Sequence, residues 1–205
     1  MRLSKDNVRE RVITVAQALF YRKGIKAVTM NEVATALQMS KRTIYELFED
    51  KEDLLIQCFK TTKQKLRLAV AQEVKDGDTV LHAVLVSMRY LLNEATHMSP
   101  TYLLDIERSP RLLAFVCEER CKEEDEVVAY LEQGKEQGLL RKDIDFRVFY
   151  RAVQRLQILG DYADFLPTHS LTELFRHTVI AYLRGCATQA GVEQIDLFER
   201  SLKNG

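Results

Sequence analysis

The twenty residues from Thr29 to Phe48, TMNEVATALQMSKRTIYELF, decide the fold. Thr29-x-x-Glu32 is a capping box, in which the threonine hydroxyl accepts the third helical amide and the carboxylate reaches back to the cap. Val33, Ala34 and Leu37 then share one helical face, with a small residue where a second helix can cross closely. After a brief linker Ser40 caps a second helix that buries Ile44, Leu47 and Phe48. Its other face carries Lys41, Arg42, Thr43 and Tyr45, crowded into the first turns. A helix lying in a DNA major groove needs this arrangement: base-edge contacts come from its N-terminal part while the preceding helix approaches the backbone. Lys and Arg supply donors to base edges, and Thr or Tyr hydrogen-bonds phosphate.

Outward from this pair, apolar residues recur at helical spacing. Upstream, Val8, Val12, Val15, Ala16, Leu19 and Phe20 form a stripe that Gly24 stops. Downstream, Asp50 opens a helix with acids in its first turn that runs through Leu54, Leu55, Cys58, Phe59, Leu66 and Val70 towards Gly77. Asp78 is expected to cap a strongly apolar helix ending near Met98. Ser99-Pro100 and Ser109-Pro110 read as cap-plus-first-turn starts, the second running to about Gln133. Asp145 opens another helix, and Ser170 with Glu173 repeats the capping box. Eight Gly and three Pro in 205 residues are too few for the tight turns of a sheet protein. The fold class is therefore all-α, with about nine main helices.

Thirty Lys+Arg against thirty Asp+Glu give zero net charge, which on its face weighs against nucleic acid. The distribution reverses that. Residues 1–48 hold nine bases and four acids, net +5, and the other 157 residues are net −5. A basic head on an acidic body favours DNA at the head. No apolar stretch approaches the roughly 20 residues a membrane-spanning helix needs, and no charged start is followed by an apolar run. Four scattered cysteines suit a reducing cytoplasm. There is no phosphate loop, nucleophile elbow or H-E-x-x-H, so nothing recommends an enzyme, a cofactor or a metal.

The run from Phe20-Tyr21-Arg22-Lys23-Gly24 through Thr29-Met30-Asn31-Glu32-Val33-Ala34 to Ser40-Lys41-Arg42-Thr43-Ile44-Tyr45 and on to Lys51-Glu52-Asp53-Leu54-Leu55 resembles the DNA-binding domain of TetR-family transcriptional regulators. The resemblance covers about the first 55 residues. It implies an N-terminal three-helix, helix-turn-helix DNA-binding domain, residues 1–50, and a larger helical effector-binding and dimerisation domain, residues 51–205. It also implies a homodimeric repressor on a pseudo-palindromic operator, with Thr29, Tyr45 and Lys51 at phosphates and Lys41, Arg42 and Thr43 at the groove. Lys51 also reads as an exposed helix-start residue. Two positions depart from the family. Gln38 stands where its turn usually has Gly, and a non-Gly residue in the left-handed region costs about 1–2 kcal/mol. Glu46 places an acid on the recognition helix, either to accept from a cytosine amino group or to repel phosphate.

The segment 134–148, GKEQGLLRKDIDFRV, resembles the turn that family members place before their last two large helices, here about 145–163 and 170–186. These commonly pair across a two-fold axis, with Val153, Leu156 and Gly160 on one and Leu171, Phe175, Thr178 and Tyr182 on the other. A small-molecule effector site needs polar groups on otherwise buried faces. Helix 78–98 supplies Arg89, Tyr90 and Asn93, and helix 145–163 supplies Tyr150, Gln154 and Gln157; Tyr102 and Phe115 would close the site. Arg89 favours an anionic or carbonyl-bearing effector. Cys117 and Cys121, at i and i+4, are expected to be buried apolar cysteines; the alternative is a thiol- or metal-responsive regulator. The acidic run Glu118–Glu126 reads as a solvated face.

Overall fold

In the computed structural model, residues 5–159, 168–170, 173–174 and 176–203 are described, without the side chains of Glu107, 155–159 and 202–203. The helices are α1 (Lys5–Lys23), α2 (Met30–Ala36), α3 (Lys41–Tyr45), α4 (Lys51–Glu73), α5 (Val80–Ala95), α6 (Pro100–Glu107), α7 (Pro110–Glu136) and α8 (Phe146–Leu159). A π-helical turn (Arg176–Ile180) leads into α9 (Ala181–Cys186), and α10 (Gln189–Lys203) follows. Among the described residues the only extended pairing is an isolated antiparallel bridge, Leu140 to Ala187.

Local chemistry explains most of the boundaries. Thr29, Ser40, Thr79 and Ser99 cap α2, α3, α5 and α6, each hydroxyl accepting the amide three residues on. Asp50 accepts from the Asp53 amide at 2.7 Å, and Ser109 from that of Leu112 at 3.3 Å. The cap of α5 is thus Thr79 rather than Asp78, whose carboxylate instead accepts from the Lys75 amide at 2.8 Å and closes the preceding turn. At 170–173 the second capping box forms, with reciprocal bonds of 2.8 and 3.1 Å.

Helix α2 ends in a Schellman arrangement: Met39 N–H donates to Ala34 O at 2.9 Å and Gln38 N–H to Thr35 O at 3.1 Å. This geometry requires the left-handed region, and Gln38 has φ +55°. The side chain is exposed, so a glycine there removes the steric cost and loses little packing. Gln38→Gly is expected to stabilise the chain by about 1 kcal/mol, read as a raised denaturation midpoint at unchanged slope. A lowered midpoint would count against the left-handed turn.

The chain divides into two compact units, residues 1–65 with 97–117, and residues 66–96 with 118–205. The first unit therefore extends well past residue 50. Its core joins Val12, Ala16 and Phe20 of α1 to Ile44, Phe48, Leu54 and Leu55, with Tyr102 and Leu112. The second core gathers Leu81, Leu85, Leu131, Leu140, Phe146, Ile180, Leu183 and Ile195. The charge split follows the units as it followed the sequence, +5 in the first and −5 in the second.

Three expectations are corrected in the second unit and along α7. Helix 170–186 does not end the fold, because α10 follows and buries Ile195 fully. Cys117 and Cys121 are exposed, not buried; they fall on the outward stripe of α7 that also carries Lys122 and Asp125. The acidic run is not wholly solvated. Glu124 is only 8% exposed. It accepts from Arg147 at 2.6 Å and from Arg151 at 2.9–3.1 Å, and these bonds, that to Arg151 foremost, hold its carboxyl below the usual range.

Candidate nucleic-acid interface

The first unit presents the Thr29–Phe48 pair with both caps formed, although α3 ends at Tyr45 and Leu47 is half-buried rather than buried. Thr29 Oγ1 accepts from the Glu32 amide at 3.1 Å, and Glu32 Oε2 accepts from the Thr29 amide at 3.0 Å. Lys23 adds an ion pair to Glu32 at 3.0 Å; that bond and the Thr29 amide hold the carboxyl below its ordinary range. Thr29 itself is exposed at the start of α2.

In α3 the inward face is Ile44, fully buried, continued by Phe48 at 1% exposure. Arg9 of α1 lies over the Phe48 ring at 4.4 Å and donates to Leu47 O, so this cation of the basic head supports the end of the recognition segment. The outward face carries Lys41, Arg42 and Tyr45, all exposed, with Thr43 half-buried. Tyr45, a large ring left 46% exposed, lies 5.7 Å from the Lys41 ammonium. Ser40 and Thr43 share a hydroxyl hydrogen bond of 2.8 Å. Arg42 Nε donates to Glu46 Oε1 at 3.0 Å. The two cations and the ring together form a polar, donor-rich surface on the first turn of α3.

Lys51 is placed differently from an exposed helix-start residue. Its ammonium donates to Ile25 O at 2.9 Å and Val28 O at 3.0 Å, tying the start of α4 to the loop between α1 and α2. Asp105 of α6 holds the same loop, accepting from the Lys26 amide at 2.8 Å. Gly24 turns the chain there at φ +85°, and a Cβ would meet Thr101 Cγ2 at 2.8 Å. Sequence reasoning missed Asp105; a lone acid in α6 carries no local sign that it will be buried.

The residues read as an effector site are divided between the two units. Tyr102 and Phe115 belong to the first unit. Tyr102 is buried edge-on against Tyr21 at 4.9 Å, and Phe115 lies 5.7 Å from the Lys60 ammonium. In the second unit Arg89 pairs with Glu73 and lies near the ring of Tyr90, at 5.7 Å, while Asn93 is exposed. Tyr150 donates to Arg120 O at 3.4 Å, and its burial raises the phenol pKa. Gln154 O accepts from Arg120 at 3.3 Å, whereas its side-chain Oε1 is buried with no hydrogen-bond partner among the described residues. The Gln157 side chain lies outside the described residues. Among the described residues of this set only Arg89 lines the cavity of about 450 Å³ between α5 and α10, with Thr79, His82, Leu85, Val86, Gln194, Leu197, Phe198 and Ser201.

Of the residues read as a dimer face, Tyr182 is 45% exposed and Val153 and Thr178 are half-buried. Leu156 (side chain), Gly160, Leu171 and Phe175 lie outside the described residues. Cys117 and Cys121 supply two of the four ligands a tetrahedral site needs, and no group of three or more His, Cys, Asp or Glu able to hold a metal occurs among the described residues. Burial pushes the thiols of the other two cysteines up, that of Cys58 to about 12. No helix of the described residues is long and apolar enough to cross a membrane.

Comparison with known proteins bears on this geometry directly. The sequence profile of bacterial regulatory proteins of the tetR family matches residues 12–58, which is α1 to the start of α4. An HTH-type transcriptional regulator of Staphylococcus aureus (strain bovine RF122 / ET3-1) is 33% identical over 95 residues, 44% of this chain and 50% of the relative. The chain thus spans about half the length of the curated relatives it matches. Among solved structures, a TetR-family transcriptional regulator from Agrobacterium tumefaciens superposes with a TM-score of 0.68 at 17% identity, covering 89% of this chain and 99% of that one. SmeT, the repressor of the Stenotrophomonas maltophilia multidrug efflux pump SmeDEF, gives 0.65 at 16% identity, covering 89% and 92%. At such identities the structural likeness speaks for the fold alone. The amino-terminal helices of this chain thus match the tetR-family profile over residues 12–58, and most of its length shares the fold of TetR-family regulators.

Proposed function

We propose that this chain is a cytoplasmic transcriptional repressor that binds a pseudo-palindromic DNA operator as a homodimer and is released by a small-molecule effector. The carrying observation is the outward face of α3, where Lys41, Arg42 and Tyr45 stand exposed over a helix anchored by Ile44 and Phe48. The +5 charge of its unit supports the reading, since the duplex backbone attracts cations whatever its sequence. Residues 1–50 would read DNA, with Lys41, Arg42 and Thr43 in the groove and Thr29, Tyr45 and Lys51 at phosphates. Residues 51–205 would bind effector and dimerise. Two-fold symmetry would place the heads on half-sites about one DNA turn (~34–36 Å) apart. The α8 and α9 faces carrying Val153 and Tyr182 would meet across the axis.

The effector would occupy the α5–α10 cavity, whose volume suits a small organic molecule. Leu85, Val86, Leu197 and Phe198 offer apolar wall, and Arg89 in the lining favours a carboxylate or carbonyl. Native mass spectrometry of the purified protein should show a bound mass that Arg89→Ala loses. Repression is also the role of SmeT, whose fold this chain resembles.

The test is binding of the full chain to duplexes selected from a randomised pool, followed by anisotropy at two salt concentrations. Affinity for the selected duplex should fall by roughly 10³-fold or more between 50 and 200 mM salt, as 6–10 phosphate contacts require. Tyr45→Ala should weaken binding to every duplex. A chain that selects no sequence and binds independently of salt is not a DNA-binding regulator.

A further inference from the structure

We propose that Glu46 is a positioning residue for Arg42, and that the pair reads one guanine in each operator half-site. The inference rests on the DNA-binding reading above and adds to it the base that is read. Arg42 Nε donates to Glu46 Oε1 at 3.0 Å, with side chains 88% and 59% exposed. Stability does not explain the pair. Exposed i,i+4 ion pairs contribute little, and base-before-acid is the weaker order on a helix. Its consequence is geometric.

A guanidinium carries five N–H groups in a rigid plane. With the carboxylate engaged at Nε, both terminal amino groups stay free to point away from the helix as a two-donor fork. Guanine answers that fork with two major-groove acceptors, N7 and O6. Adenine offers one acceptor and one donor, and thymine a single acceptor beside a methyl group, so neither satisfies both amino groups. An unsupported arginine samples many rotamers and bonds phosphate as readily as a base. Glu46 removes that freedom. It also cancels the charge of Arg42, so the pair adds little to the attraction that phosphates exert on the rest of the face. Arg42 should therefore govern base choice, while its neighbours Lys41 and Tyr45 (5.7 Å apart) serve general affinity.

Glu46 also settles differently from both readings open in the sequence. Its Oε1 is occupied by Arg42, so it is not a bare acid facing phosphates, and the cytosine amino group is not its first partner.

The experiment uses the full chain, a duplex selected from a randomised pool, and all single base-pair variants of that duplex at fixed salt. Wild type should lose about tenfold or more in affinity when one guanine per half-site is replaced. Arg42→Ala should abolish that preference at that position alone and leave the salt slope nearly unchanged. Glu46→Ala should shrink the preference at the same position several-fold while raising affinity for unrelated duplexes. Glu46→Gln, which keeps an acceptor for Nε, should restore part of it. The proposal is overturned if Glu46→Ala leaves the Arg42-dependent preference intact. It is equally overturned if Arg42→Ala weakens all duplexes alike and lowers the salt slope by about one, the signature of a phosphate contact. A wild type that discriminates no sequence at all overturns the DNA-binding reading first and this inference with it. Unchanged melting of the variants, both sites being exposed, separates these results from loss of fold.

Discussion

Gly191→Ala is expected to destabilise the protein by about 2–3 kcal/mol, lowering its melting temperature by roughly 4–12 °C. Gly191 lies in the first turn of α10, where an added Cβ would stand 2.2 Å from Leu139 O and 3.0 Å from the Ala187 Cβ. The obstacle is main chain, so it cannot rotate aside. That carbonyl is already committed: it accepts from the Thr188 amide at 3.0 Å, while Thr188 Oγ1 donates to Gly138 O at 2.7 Å. Alongside, Arg141 N–H donates to Cys186 O at 2.8 Å and Leu140 bridges Ala187. Moving Leu139 O by the ångström an alanine needs would disturb all of these bonds together. Alanine's better helix propensity, worth about 1 kcal/mol over glycine, acts in the opposite direction but is smaller. Gly185→Ala supplies the control. It sits in α9 with nothing among the described residues within 4 Å of its Cβ, so propensity acts alone and melting should hold or rise slightly. A Gly191→Ala protein that melts with the control would mean α10 does not seat on Leu139.

The contrast between these glycines shows which parts of the molecule its sequence displays. Caps are local. Thr29 with Glu32, Ser40, Asp50, Ser99-Pro100, Ser109-Pro110 and Ser170 with Glu173 each declare themselves within four residues, and each makes its expected bond or helix start. The left-handed Gln38 follows only from the family resemblance, which puts Gly at that turn position; its φ is +55°. Asp78 against Thr79 marks the limit of such reading: two good caps stand side by side, and the Lys75 amide decides between them. Long-range constraints leave no local mark. The obstacle to Gly191 lies 52 residues earlier in the chain, and the arginines that bury Glu124 lie 23 and 27 residues later. Cysteine is indifferent as a signal, since it suits a core and a surface alike; only the stripe it shares with Lys122 and Asp125 exposes Cys117 and Cys121. The candidate site divides the same way. The α3 face follows from periodicity within one helix, whereas an effector site draws on several helices at once, and no local pattern fixes which of their residues meet.

Lys51 lies on that division, which makes Lys51→Met the sharpest test of how the reading head is held. Methionine keeps the apolar stem and removes the ammonium, leaving Ile25 O and Val28 O without their donor. Both carbonyls belong to residues of the core, Ile25 at 6% and Val28 at 0% exposure. Water therefore reaches them poorly, and the loss should be about 2 kcal/mol, a fall of roughly 4–8 °C in melting temperature. The loop so loosened runs directly into Thr29, the cap of α2, and α2 supports α3. The ammonium has three protons and the carbonyls take two, so a third remains for a phosphate. If that proton reaches DNA, Lys51→Met should also weaken binding to all duplexes about equally and lower the salt slope by about one. Both effects are expected together, and measured together they separate the roles. A fall in melting temperature with the slope unchanged would remove Lys51 from the phosphate contacts and leave it as the tie between α4 and the loop. A changed slope with unchanged melting would mean that the two carbonyl bonds contribute nothing to the fold.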